Sequence, residues 1–220
     1  EITTRLVGSE MCIRDRFKAK EIEGELKYAV RRQEETIYHR QLKMTSPALN
    51  RFRDLVLYNL EAGQAVLTDN NDIRIYTDGK EKFHALIEEM KRAKKYIHVQ
   101  YYIIRNDEVW QDIEKVLIEK AHEGVEVRVL FDSMGCRTMH KRDWDRLKCE
   151  GIRVAEFFPA ILGQLQMRVN YRNHRKIVVI DGKVGFVGGF NVGREYIGKD
   201  EKFGSVSYTH LRAHETRSNL

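Results

Sequence analysis

The chain is poor in residues that break or staple a fold. Its 220 residues include only two prolines, Pro47 and Pro159. With no Ser/Gly-rich tract either, a long disordered linker is excluded. The three cysteines, Cys12, Cys136 and Cys149, are odd in number and lack CxxC spacing. They exclude a disulfide framework or cysteine zinc site and read as reduced thiols from a cytosolic face. No apolar run approaches the roughly 18–20 residues that span a bilayer. The chain does not begin with Met, and no basic-then-apolar leader opens it. Any membrane anchor is therefore expected outside this sequence.

What is present suits one domain with flanking pieces. The formal charge of +6 leans towards anionic partners: phosphates, nucleic acid or acidic lipid. Residues 1–16 and about 205–220 differ from the middle. The head has no sustained apolar period, and the tail carries His210 and His214, which invite a metal or catalytic reading. Both ends resemble translated sequencing-adaptor DNA, so they are expected to be non-native flanks that make few contacts with the core.

Between them, residues 17–63 read as a helical linker segment. Ile22, Leu26, Ala29 and Ile37 have loose helical spacing. Pro47 is expected to open a second helix with Leu49, Phe52, Val56 and Leu60 on one face, ending near Gly63. Residues 64–204 then alternate strands and helices. Asp78 and Glu81 form a capping box ahead of Phe83, Leu86, Ile87 and Met90. Ile97, Val99, Tyr101 and Ile103 alternate with polar residues as a strand does. A helix over about 107–123 buries Trp110, Ile113, Val116 and Leu117 and stops at Gly124. Further strands are expected at VEVRVLFD and IRVAEFF, and a hairpin at Asp181-Gly182. The fold class is α/β: a mixed, largely parallel sheet flanked by helices on both faces.

The chemistry concentrates in NYRNHRKIVVIDGKVGFVGGFNVGREYIGKD. His174 and Lys176 are two apart on an expected central strand, so their side chains leave the same face of the sheet. A neutral imidazole can attack phosphorus, and a neighbouring ammonium stabilises charge on the phosphoryl oxygens. Gly188 and Gly189 permit a close backbone approach to a phosphate, or serve close packing. The Asn191 amide can donate to phosphate oxygens. Asp181 lies seven residues from His174, on the other face under strict alternation, and beside Gly182 it reads as an orienting or structural turn residue. Arg168, Arg172 and Arg175 draw in anionic head groups or form an ordinary basic loop. His98 and Asp132 line a cleft or fill core and capping roles.

His174, Lys176 and Asp181, with Gly188-Gly189-x-Asn191 following, match the HxKxxxxD and GGxN pattern of the phospholipase D superfamily. Together with IHVQYYII and VRVLFDSMG, the stretch from about Asp72 to Gly204 resembles bacterial cardiolipin synthases. That resemblance implies a transfer through a phosphohistidine, with His174 or its partner in a second motif as nucleophile and the other as acid and base. Lys176 and Asn191 would hold the phosphate, Arg172 and the two glycines would help bind substrate, and no metal or other cofactor is implied. One phosphatidylglycerol would give its phosphatidyl group to the hydroxyl of another, releasing glycerol, at the cell membrane with the catalytic domain facing the cytoplasm.

The pattern departs from the family in two respects: no second HxK frame with a following Asp occurs here, and the family's N-terminal membrane segments are not found in this sequence. The expected partners are therefore anionic phospholipid, a membrane surface, and the second motif of a parent chain or a second copy. Two other readings stand beside this one. They are a superfamily nuclease completed by homodimerisation, with its basic surface on a nucleic-acid backbone, and a truncated, non-catalytic module.

Overall fold

Strict alternation of apolar with polar residues sets the central strands. In β2 (Tyr96–Tyr101) and β3 (Glu126–Asp132) every second side chain is buried and the intervening ones stay half exposed. That pattern marks strands with one fully buried face. The computed structural model describes residues 19–38, 51–63, 65–68, 71–158, 172–200 and 210–215, and divides into two units, residues 1–70 and 71–220.

The first unit contains helices α1 (Ala19–Tyr38) and α2 (Arg53–Gly63). Val30, Ile37 and Leu60 are buried together, with Val56 packed against them. Phe52, expected on the inward stripe, is instead exposed and lies one residue before α2. Pro47, Leu49 and residues 1–16 lie outside the described residues.

In the second unit β1 (Asn71–Tyr76) is followed by α3 (Gly79–Lys91), β2, α4 (Glu108–His122), β3, α5 (Lys141–Cys149) and β4 (Arg153–Phe157). Then come β5 (Ile177–Ile180), β6 (Val184–Gly188), a 3-10 turn (Arg194–Ile197) and β7 (His210–Glu215). The sheet runs β1-β7-β6-β5-β2-β3-β4. It is mixed, as expected, although four of its six pairings are antiparallel, so it is not largely parallel. The parallel pairings are β2–β3 and β3–β4, where helices α4 and α5 make the crossovers, and the other pairings are antiparallel.

The helix stops and starts follow their sequence signals. Asp78 accepts from Glu81 N (2.9 Å) to begin α3, and Asp107 accepts from Val109 N (3.1 Å) and Trp110 N (3.3 Å) to begin α4. Gly124 and Gly151, at φ 85° and 84°, take the left-handed turns that end α4 and α5. Phe83, Leu86 and Met90 of α3, Trp110, Ile113 and Leu117 of α4, and Trp144 and Leu147 of α5 share one core with Ile97, Val99, Val129, Phe131, Val178 and Phe186. These strand residues have one parity, so the three helices cover one sheet face; no second helical layer occurs among the described residues of this unit.

The tail does not stand apart as expected. Residues 210–215 pair antiparallel with β1 on one side and β6 on the other, His210 facing Gly188 and His214 facing Val184. Main-chain pairing of this kind needs only an extended segment beside open strand edges. It therefore does not bear on where the tail's sequence comes from.

Candidate active site

The strand directions decide where the motif residues meet. Because β3 runs parallel to β2 while β5 runs antiparallel to β2 and β6, the ends of β2, β3 and β6 reach the same end of the sheet as the start of β5. Strand order also reverses at β2, with β3 on one side and β5 on the other. Crevices beyond the carboxyl ends of strands at such a reversal are the usual ligand sites of α/β sheets.

His174 and Lys176, expected on the strand, lie instead in the extended run that enters β5, just short of the strand itself. The His174 ring packs on the Tyr102 ring with centroids 4.6 Å apart. Lys176 Nζ is 5.2 Å from the centroid of that same ring and donates to the His174 carbonyl at 2.8 Å. Both motif side chains thus converge on Tyr102. Lys176 is 4% exposed, and this burial pulls its ammonium down to about 8. Partial burial and the Lys176 charge also lower the His174 imidazole below its ordinary value, with the Asp132 carboxylate opposing them. At neutral pH the site therefore presents an unprotonated imidazole beside a lysine that keeps most of its charge. That pair can attack an electrophilic phosphorus and neutralise the oxygens around it.

The other predicted residues divide between the two ends of the sheet. Gly188 N donates to Lys176 O (3.4 Å), so Gly188 lies beside the lysine, with Gly189 next in the chain. Asn191 is buried; its Oδ1 accepts from Ile103 N (3.1 Å), and its Nδ2 donates to Tyr196 Oη (2.7 Å). The amide nitrogen carries two hydrogens, and the Tyr196 bond uses one. Asn191 is therefore held one residue along from Tyr102. Arg172 Nη1 lies 3.5 Å from Ser133 Oγ, and its guanidinium sits 5.5 Å over the Phe158 ring. Arg175 is exposed, and Arg168 lies outside the described residues.

Asp181 is at the far end, beyond β5. Its carboxylate accepts from Lys94 N (2.8 Å), Lys95 N (2.8 Å) and Tyr96 N (2.9 Å), where β2 begins. Its φ of 54° is the left-handed turn the hairpin requires. Some seven residues of extended chain, roughly 20 Å, separate it from His174. His98 sits within β2, stacked on Tyr96 and 3.3 Å from Glu126 Oε1, away from the convergence.

Tyr102 is not singled out for the site by the sequence. Asp132, raised there as a cleft-lining, core or capping residue, is fully buried and accepts from Met134 N (2.9 Å), Gly135 N (3.2 Å) and Asn173 N (3.0 Å). Position at a strand end hinted at Asp132, but its bond to Asn173 spans 41 residues and leaves no local signature. Among the described residues no group of three or more His, Cys, Asp or Glu could hold a metal ion, and no helix is long and apolar enough to cross a membrane.

The fold and this constellation define a phospholipase D-like α/β domain. The family model described as "Cardiolipin synthase, PLD-like domain" matches residues 86–215, more than half of the chain, and the chain belongs to that family. It is 45% identical over 187 residues to a cardiolipin synthase of Oceanobacillus iheyensis, covering 85% of this chain and 39% of that protein. To cardiolipin synthase 2 of Staphylococcus epidermidis it is 43% identical over 208 residues, 94% of this chain and 43% of that one. A Staphylococcus aureus cardiolipin synthase is 49% identical over 162 residues, 74% and 33% of the two chains. The chain thus spans about two fifths, or less, of the curated relatives it matches. Among solved structures, NucT from Helicobacter pylori is similar over 66% of this chain and 87% of its own, at 17% identity and a TM-score of 0.49.

Proposed function

We propose that this chain is the part of a cardiolipin-forming phosphatidyltransferase that carries the His174 motif. The observation that carries the reading is the convergence of a neutral imidazole and a desolvated lysine ammonium on one aromatic ring at the carboxyl ends of β2 and β3. His174 attacks the phosphorus of one phosphatidylglycerol, or protonates the leaving glycerol while a second histidine attacks. The P–O bond to glycerol breaks as a P–N bond forms. A hydroxyl of a second phosphatidylglycerol, deprotonated by the other histidine, then displaces nitrogen and yields cardiolipin. Lys176 and Asn191 hold the phosphoryl oxygens, Gly188 and Gly189 let the backbone approach them, and Arg172 attracts the head group. Asp181 acts by fixing the hairpin and the start of β2. The second histidine comes from another motif of the parent chain or from a second copy, so a single copy of this chain turns over little. The reaction takes place on an anionic membrane surface with the domain on its cytoplasmic side.

The test is to mix the parent enzyme with phosphatidylglycerol labelled at phosphorus and quench it in alkali within one turnover. Label should appear on His174 or on its partner histidine. Turnover without any histidine-bound label would overturn the mechanism. With the isolated chain, a rate growing as the square of its concentration would show that two copies complete the site. Monomeric turnover at the parent's rate would overturn the shared-site reading.

A further inference from the structure

The element behind the motif is the loop that leaves β3, residues 132–136. It grips the site from two directions. On one side Asp132, 0% exposed, accepts the main-chain N–H of Asn173, the residue immediately before His174. On the other side the same loop clasps the segment that carries Tyr102. Cys136 Sγ lies 3.6 Å from Tyr102 O and 3.2 Å from Ile104 N. Gly135 comes so close that a Cβ there would sit 1.9 Å from Tyr102 O. Asp132 Oδ1 holds the loop itself, through Met134 N and Gly135 N. One buried carboxylate therefore ties together the backbone that presents the His174 ring and the loop that backs the Tyr102 ring on which His174 rests.

We propose that Asp132 is a positioning residue for His174, setting the ring's place through its bond to Asn173 N and through the loop that backs Tyr102. Its value to the reaction rests on the transferase reading above, but the placement itself does not. Two charged groups act on the His174 ring from the elements packed against it, Lys176 on its own segment and Asp132 on β3; Tyr102, on the segment after β2, contributes its ring face. The two charges pull the imidazole in opposite directions. Removing only the Asp132 charge leaves Lys176 unopposed, an effect that mere structural support would not produce.

The experiment is NMR on the full chain, wild type and Asp132→Asn. Asparagine keeps the shape and can accept from Met134 N and Gly135 N, but it turns an amide N–H₂ towards Asn173 N–H. The wild-type Asn173 amide should be protected from exchange, and the variant should exchange about tenfold faster or more, the usual worth of a bond to a charged acceptor. The His174 imidazole should titrate at lower pH in the variant, and its cross-peaks to Tyr102 should weaken. If Asp132→Asn does not fold, the wild-type exchange alone decides, because an unprotected Asn173 amide overturns the proposal. A folded variant with unchanged His174 titration and unchanged Asn173 exchange overturns it too. Neither readout uses lipid or turnover, so it can fail while the transferase reading stands, and the transferase reading can fail while it holds.

Discussion

Replacing Asp181 should damage the fold far more than the chemistry. Its two carboxylate oxygens accept three main-chain N–H groups within 2.9 Å, all at the start of β2. A hydrogen bond to a charged group is worth about 1.5–3 kcal/mol. The amides of Lys94 and Lys95 are exposed enough for water to replace part of that, so the three together should contribute about 2–4 kcal/mol. Alanine must in addition hold φ 54°, a left-handed conformation costing a further ~1 kcal/mol. Glycine avoids that cost, and asparagine keeps one accepting oxygen and tolerates the turn. Urea unfolding, followed by the fluorescence of Trp110 and Trp144 in the core, should therefore rank Asp181→Asn mildest, then glycine, then alanine. Partial burial pushes the Asp181 carboxyl up, but the N–H groups of Tyr96, Lys94 and Lys95 and the Lys183 charge outweigh it and hold it below the ordinary value. Stability from a depressed carboxyl is complete above its unfolded value, near 3.9, and is lost as pH falls through the folded one. The gap between wild type and Asp181→Ala should accordingly close on acidification below about pH 4. An alanine variant within 0.5 kcal/mol of wild type would refute the reasoning, with ~0.5 kcal/mol being the ordinary surface effect. So would loss of transfer in a parent whose Asp181→Asn variant is stably folded.

Lys176→Met should abolish transfer in the parent by about 10²–10³, the cost of one lost preorganised donor. In the same chain, wild type should gain stability on the Met variant between pH 8 and about 10.4, because the buried lysine, at about 8, is already neutral there while the unfolded chain still binds a proton. Denaturation curves at several pH values check this, and a constant difference would contradict it. Trp144 stacks on Phe131 (centroids 4.0 Å apart) and lies edge-on to Trp110 (6.0 Å). Trp144→Ala should cost about 3–5 kcal/mol in urea unfolding, and a loss under about 1 kcal/mol would mean the core is not built around it.

Local periodicity carries most of the fold. The stripes of α3 and α4, the alternation of β3 and the Asp181-Gly182 hairpin appear where their spacing places them; that of β2 stops at Tyr101, and Ile104 is buried where Ile103 is expected. Such signals report which side of an element is buried, and burial is what repeats along a strand or helix. β7 was not legible, because its place depends on open edges of β1 and β6 rather than on a pattern of its own. At the site, His174 and Lys176 both meet the Tyr102 ring, although they precede the strand on which the i, i+2 spacing is read. Parity alone assigned Asp181 to another face; its distance along β5 is what removes it from the chemistry. Tyr102 and Asp132 reach the motif across 72 and 41 residues. Contacts between strands that are neighbours only in the folded sheet leave no trace in linear spacing.

The most direct test of the account is glycerol release from phosphatidylglycerol by the parent enzyme, with and without His174→Ala, both shown to be folded. The account predicts a fall of at least about 10²–10⁴, the usual contribution of a placed acid–base histidine. Release at the wild-type rate by a folded His174→Ala enzyme would contradict it.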